Sequence, residues 1–145
     1  MDKIFLINGP NLNLLGTRSP DIYGSSTLAD VLASVEVRAK EYKLKVESLQ
    51  SNHEGELIDF LQRANHEAKA VIINPGGYAH TSVALRDAVE AVSIPVIEVH
   101  ISNIFAREPF RHQSYISEVS DGVICGLGTL GYQLAVEAAA AKISL

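Results

Sequence analysis

Five short apolar runs recur along the chain, each broken by turn-forming residues and separated by stretches with helical spacing. Ile4–Ile7 and Ala70–Ile73 are unbroken and rich in β-branched residues, the pattern of strands covered on both faces. Pro95–Val99 and Gly122–Cys125 read as two more strands, and Lys43–Leu49 alternates as a strand nearer an edge does. Thr27-x-x-Asp30 has the form of a capping box ahead of the stripe Leu28, Val31, Leu32, Val35 and Ala39. Ser51 or Asn52 is expected to open a second helix with Leu57, Phe60, Leu61 and Ala64 inward. Thr81 or Ser82 caps a third, whose predicted apolar side is Val83, Ala84, Ala88 and Val92. The last helix is predicted over about Leu130–Lys142, burying Leu134, Ala135 and Ala138.

Strands alternating with helices imply right-handed crossovers and a three-layer α/β sandwich around a five-stranded parallel sheet. The commonest order is 2-1-3-4-5, with a topological switch between strands one and three where ligands bind. At 145 residues, the chain reads as a single domain, 1–145. The longest polar loops, NLNLLGTRSPDIYGSS and IFAREPFRHQSYIS, follow strands one and four. Both are expected to open beside the glycine turn Asn74-Pro75-Gly76-Gly77 after strand three, so that three distant segments meet at one sheet edge.

Composition narrows the partners. The hydrophobic fraction is 47% and the charged fraction 20%, as in ordinary globular proteins. A net charge of −5 argues against a general affinity for nucleic acid or anionic membranes, without excluding a local anion pocket. No apolar run approaches a membrane span, and the start MDKIFLINGPN has no signal-peptide plan. Cys125 has no intrachain partner, which suits a reducing cytoplasm, and its apolar run makes it a core residue. The expected location is cytoplasmic.

Gly126-Leu127-Gly128-Thr129-Leu130-Gly131 matches GxGxxG, yet it lies in the last unit, whereas a dinucleotide site uses the first. Close helix–sheet packing, with at most an anion contact, is the better reading, and NAD is rejected. No HxxxH, CxxC or carboxylate cluster supplies a metal site. His53, His66 and His112 sit on polar stretches and read as surface residues. His80 and His100 differ, because both fall just past strand ends at the convergent edge, beside Asn11, Asn74 and Ser102. Glu98 lies two residues before His100, so both side chains point to one face of an extended strand. A carboxylate there either fixes the imidazole and favours its protonated form, making His100 a general acid, or merely satisfies a buried polar group.

Arg18 and Tyr23 share the first loop, and Arg107 and Arg111 share the loop after strand four. Loop arginines are commonly solvated, but no lysine falls at the convergent edge, so charge there must come from arginine and Schiff-base chemistry is disfavoured. A tyrosine is a base only as phenolate, and its free pKa is about 10. One cation at ~4 Å in an effective dielectric near 20 contributes on the order of 4 kcal/mol, or about three pK units, partly opposed by desolvation. Arg18, with a second arginine, could thus make Tyr23 a base for a proton α to a carbonyl. A histidine acid opposite it would complete a β-elimination of water.

FLINGPNLNLLGTRSPDIYG, IINPGGYAHTSVALRDA, IEVHISNIFAREPFRHQSYIS and GVICGLGTLGYQLA together resemble the type II 3-dehydroquinate dehydratases, and the likeness spans essentially the whole chain. The resemblance implies a flavodoxin-like fold, no cofactor, and dehydration of 3-dehydroquinate to 3-dehydroshikimate in the shikimate pathway. It assigns Tyr23 as the base, Arg18 as its activator, Asn11 as holder of a water against the enolate oxygen, and His100 as the acid, with Glu98 orienting it. Asn74 would contact the same region, Ile101 and Ser102 the substrate carboxylate, and His80 and Arg111 the ring hydroxyls. Asp87 would reach in from a neighbouring subunit of a homo-oligomer, a dodecamer of four trimers; taken alone it reads as a solvated or capping carboxylate. Two positions depart from the family pattern. Ser19 stands where a charged residue, often Glu, is usual, and the Gly76-Gly77 pair varies the turn. The competing expectation is a non-catalytic flavodoxin-like module binding a flavin or an anion. A phosphorylated receiver is less suited, because Asn8-Gly9-Pro10-Asn11 stands where its acidic cluster belongs.

Overall fold

In the first strand, β1 (Asp2–Asn8), the residues Ile4 to Ile7 are fully buried, which requires cover on both faces. A computed structural model describes residues 1–145 and provides that cover. A 3-10 turn (Leu12–Leu14) and the short helix α1 (Pro20–Tyr23) fall within the first long loop. The chain continues as α2 (Leu28–Glu41), β2 (Leu44–Gln50), α3 (Glu54–Glu67), β3 (Ala70–Asn74), α4 (Val83–Ala91), β4 (Val96–His100), β5 (Gly122–Cys125) and α5 (Leu130–Ile143). All strand pairings are parallel and the order is β2-β1-β3-β4-β5, a flavodoxin-like α/β sandwich as the pattern predicts.

Strand alternation divides the interior into two cores. Ile4, Leu6, Ile72, Ile97 and Val99 face α2 and α5, meeting Val31, Val35, Tyr132, Ala135 and Val136. Phe5, Ile7, Val71, Ile73 and Val96 face α3 and α4, meeting Leu57, Phe60, Leu61, Leu85 and Val89. Each fully buried large aliphatic or aromatic side chain stabilises the fold by about 1.5–3 kcal/mol. The expected capping box forms: Thr27 Oγ1 accepts from Asp30 N at 3.1 Å, and the Asp30 carboxylate accepts from Thr27 N at 3.0 Å.

Four local expectations are corrected. The α4 stripe is Leu85, Ala88 and Val89, while Val83 and Ala84 are exposed. Ser82 is the cap, and the i, i+3, i+4 set facing the sheet therefore begins two residues later than the apolar run suggests. On α5 the fully buried residues are Gly131, Tyr132, Ala135, Val136, Ala139 and Ala140, with Leu134 and Ala138 only partly covered. That helix is alanine-rich and apolar nearly all round, so its periodicity selects no single face. The cap position of α3 is His53, and Ser51 Oγ instead accepts from the His53 N–H at 2.9 Å. Cys125 is half-buried, because β5 is an edge strand, and its thiol donates to the Ser102 carbonyl at 3.4 Å.

The carboxyl ends of β1 and β3 are drawn together by close backbone contact. Gly9 N–H donates to the Asn74 carbonyl at 2.8 Å. A Cβ on Gly9 would lie 2.4 Å from the Pro75 carbonyl oxygen. Gly76 sits at φ 59°, where a side chain would be strained and would crowd the Pro10 carbonyl at 3.1 Å. Gly9→Ala is expected to destabilise the fold by about 1–3 kcal/mol, because backbone must move rather than a side chain. A urea midpoint equal to that of the parent chain would contradict this.

Candidate active site

A cleft opens at this carboxyl edge, where open parallel sheets place their ligands. The three expected segments meet in it. The first loop supplies Asn11, Arg18 and Tyr23; the glycine turn supplies Asn74 and His80; the end of β4 and the following loop supply His100, Ile101, Ser102, Arg107 and Arg111. None of the lysines lines it.

Tyr23 is the last residue of α1 and is half-buried. The Arg18 guanidinium lies 5.1 Å from its ring centroid and the Arg107 guanidinium 5.3 Å. Only Arg107 reaches the hydroxyl oxygen, donating through Nη1 at 2.8 Å. The same nitrogen approaches Ser102 Oγ at 3.3 Å. Arg107 thereby bridges the two long loops, a role that its position in the sequence does not mark. Its signal was the charged stretch REPFR, where nothing in the spacing separates Arg107 from Arg111. Ser19 is exposed and adopts a left-handed conformation before α1.

Alternation along β4 points Glu98 and His100 to one face, as expected. The Glu98 carboxylate is fully buried and bonds His100 Nε2, which leaves Nδ1 as the ring nitrogen free for the cleft. Ser114 Oγ donates to the same carboxylate at 2.7 Å and Ser117 Oγ at 2.6 Å. Burial alone would push the Glu98 carboxyl up. The bonds from His100, Ser117 and Ser114 outweigh it and hold the group below the usual glutamate range, so it is ionised at neutral pH. His80 stacks on His100 with ring centroids 6.2 Å apart. Its Nδ1–H donates to the Gln113 carbonyl at 2.8 Å, so Nε2 is an acceptor. Burial, with His100 and Arg111 adding to it, lowers the His80 pKa, and the Gln113 bond only partly compensates.

Asn11 takes a left-handed conformation at φ 68°, and its N–H is held by Asn52 Oδ1 at 3.0 Å. Ser102 accepts from Arg107 and keeps its own hydroxyl proton to donate. Arg111 is paired with Glu108 at the rim. Asp87 is exposed on α4 and does not line this cleft within one chain. The cleft thus offers a phenol against guanidinium groups, a carboxylate-braced imidazole, and arginine and hydroxyl donors for an anion.

The family described as "Dehydroquinase class II" matches residues 2–140. A 3-dehydroquinate dehydratase of Pectobacterium carotovorum is 56% identical over 141 residues, covering 97% of this chain and 94% of that protein. A catabolic 3-dehydroquinase of Aspergillus clavatus is 56% identical over 135 residues, covering 93% and 90%. Among solved structures, a type II dehydroquinase from Propionibacterium acnes superposes with a TM-score of 0.94 at 41% identity, covering 97% of each chain. With a family match over residues 2–140 and relatives more than half identical across over nine-tenths of the chain, the chain belongs to the class II dehydroquinase family.

Proposed function

We propose that this chain is a hydro-lyase converting 3-dehydroquinate to 3-dehydroshikimate, with Tyr23 as base and His100 as acid. The observation that supports this most directly is that the Arg107–Tyr23 hydrogen bond and the Glu98-braced His100 share one cleft. Ionised, Tyr23 takes the proton next to the ketone, and the electron pair moves onto the carbonyl oxygen as an enolate. The enolate then reforms the ketone and drives the pair into a new ring double bond, expelling the β-hydroxyl as it takes a proton from His100. Atoms balance as substrate going to enone plus water, with no redox partner and no covalent adduct. Arg18 and Arg107 stabilise negative charge on the phenol oxygen, and Asn11 holds a water against the enolate oxygen. The Ser102 hydroxyl and Ile101 backbone receive the substrate carboxylate, while Asn74, His80 and Arg111 take the ring hydroxyls.

Asp87, outside the cleft of its own chain, completes a neighbouring site in a homo-oligomer, a dodecamer of four trimers. The enzyme works in the cytoplasm as one catalytic domain of the shikimate pathway and needs no cofactor. Purified protein without additives should convert 3-dehydroquinate to a conjugated enone, followed by ultraviolet absorbance. No turnover by assembled protein between about pH 6 and about pH 9 would overturn the proposal. Arg107→Ala is expected to lower kcat about 10- to 100-fold, as the loss of a charge-assisted hydrogen bond to the base requires, with Arg107→Lys between it and the parent. Equal kcat in all three would remove Arg107 from the reaction.

A further inference from the structure

The glycine motif before α5 has no part in the chemistry above, yet it ends beside a second buried polar chain, one that runs from α5 to the strand ends under the cleft. Asn8 and Asn74 are cross-strand partners at the carboxyl ends of β1 and β3. Alternation turns both side chains toward the face covered by α5, where Tyr132 is fully buried. The Tyr132 hydroxyl donates to Asn8 Oδ1 at 2.7 Å and accepts from Asn74 Nδ2 at 2.8 Å. Asn74 Oδ1 in turn accepts from the Gly76 N–H at 3.1 Å. Gly131, just before Tyr132, lies so close to the sheet that a Cβ there would touch Val99 and Ile124 at 3.4 Å, leaving room for little more than a methyl. That approach carries the phenol under the strand ends.

The direction of this chain is fixed from its Gly76 end. A backbone N–H only donates, so the amide atom facing Gly76 must be the oxygen, and Nδ2 must face Tyr132. Tyr132 then accepts, and its own proton is committed to Asn8. Burial raises the Tyr132 pKa, so the hydroxyl stays a neutral donor and acceptor at working pH. The Asn74 amide has one N–H beyond the bond to Tyr132, and the residue is part of the cleft lining.

We infer that Tyr132 is a positioning residue for the reaction, locking the Asn74 amide so that its remaining N–H is offered to a substrate hydroxyl. This rests on the reading that Asn74 contacts substrate. Without the Tyr132 hydroxyl, Asn74 Nδ2 and Asn8 Oδ1 are both left unpaired in a buried site, and the amide loses one of its two anchors.

The test is a double-mutant cycle on the assembled enzyme, measuring kcat and KM for 3-dehydroquinate with circular dichroism on each variant. Tyr132→Phe should lower kcat about tenfold with native secondary structure. In an Asn74→Ala background the same change should leave kcat unaltered, because the amide it orients is gone. Parental kcat in Tyr132→Phe, or an undiminished loss in the double variant, would overturn the inference while leaving the dehydratase reading intact. Parental kcat and KM in Asn74→Ala would overturn the assignment of Asn74 itself. Should Tyr132→Phe not fold, Asn8→Ala takes its place in the cycle, since it removes the acceptor that commits the hydroxyl proton; the same non-additivity is expected, and additivity would overturn the inference.

Discussion

Tyr23→Phe should lower kcat by about 10³-fold or more, at the upper part of the range for removing a general base, with KM changed far less. The substitution deletes one oxygen and keeps the ring, so the contacts of Arg18 and Arg107 with the aromatic face persist. What disappears is the atom that receives the Arg107 hydrogen bond and, in the mechanism proposed, the substrate proton. Phenylalanine has no group that titrates, so raising pH cannot restore activity. Exchange of the substrate's acidic hydrogen with deuterated solvent should vanish together with turnover, because both pass through the same enolate. Turnover within a factor of a few of the parent, or continued exchange, would remove Tyr23 from the base role. Since Tyr23 belongs to a loop helix and is half-buried, folding should be little affected, and an unchanged urea midpoint would separate chemistry from stability.

Most of this arrangement was legible in the chain because apolar runs and crossovers follow strong rules. The buried runs Ile4–Ile7 and Ala70–Ile73 and the turn after each imply the central strands, and parallel connection then brings the loops after strands one and four to the same edge. Tyr23 and Arg107, 84 positions apart in sequence, are hydrogen-bonded as a result. Helix faces were less legible where periodicity is weak: α5 carries alanine on almost every side, and the α4 stripe depends on which of two hydroxyls caps it. Polar partners were harder still. Arg107 and Arg111 sit in the same irregular segment, and no period separates the one that meets Tyr23 from the one that pairs with Glu108. Asn8 reads as a turn residue and Tyr132 as part of an apolar helix, and only the register of β1 against β3 reveals that both meet Asn74. Asp87 belongs to a different class, since its proposed role needs a second chain.

His100→Ala is expected to lower kcat by about 10²–10⁴-fold, the range associated with loss of a general acid, while proton exchange at the substrate continues. Tyr23 and its arginines are untouched by this change, so the enolate still forms and returns, but the β-hydroxyl has no donor on its departure. Loss of exchange in parallel with turnover would contradict a division of labour between Tyr23 and His100. Glu98→Gln should produce a smaller loss, because the amide oxygen can still accept from His100 and Ser114 yet no longer balances an imidazolium charge, and its NH₂ then meets the Ser117 hydroxyl. Acid stability gives an independent check on the same carboxylate. The folded chain holds the Glu98 carboxyl below its ordinary value, so the unfolded chain binds that proton more readily. Its contribution to stability is therefore fully present above about pH 4.3 and is lost as pH falls through the lower folded value. His80, also lowered on folding, adds a separate loss as pH drops below about 6.5, where the unfolded imidazole charges first. Urea midpoints measured against pH should accordingly fall less steeply below about pH 4.3 in Glu98→Gln than in the parent, while the step near about pH 6.5 is retained. Identical acid profiles would mean that Glu98 is not held as a carboxylate by its three donors, and the brace behind His100 would have to be sought elsewhere.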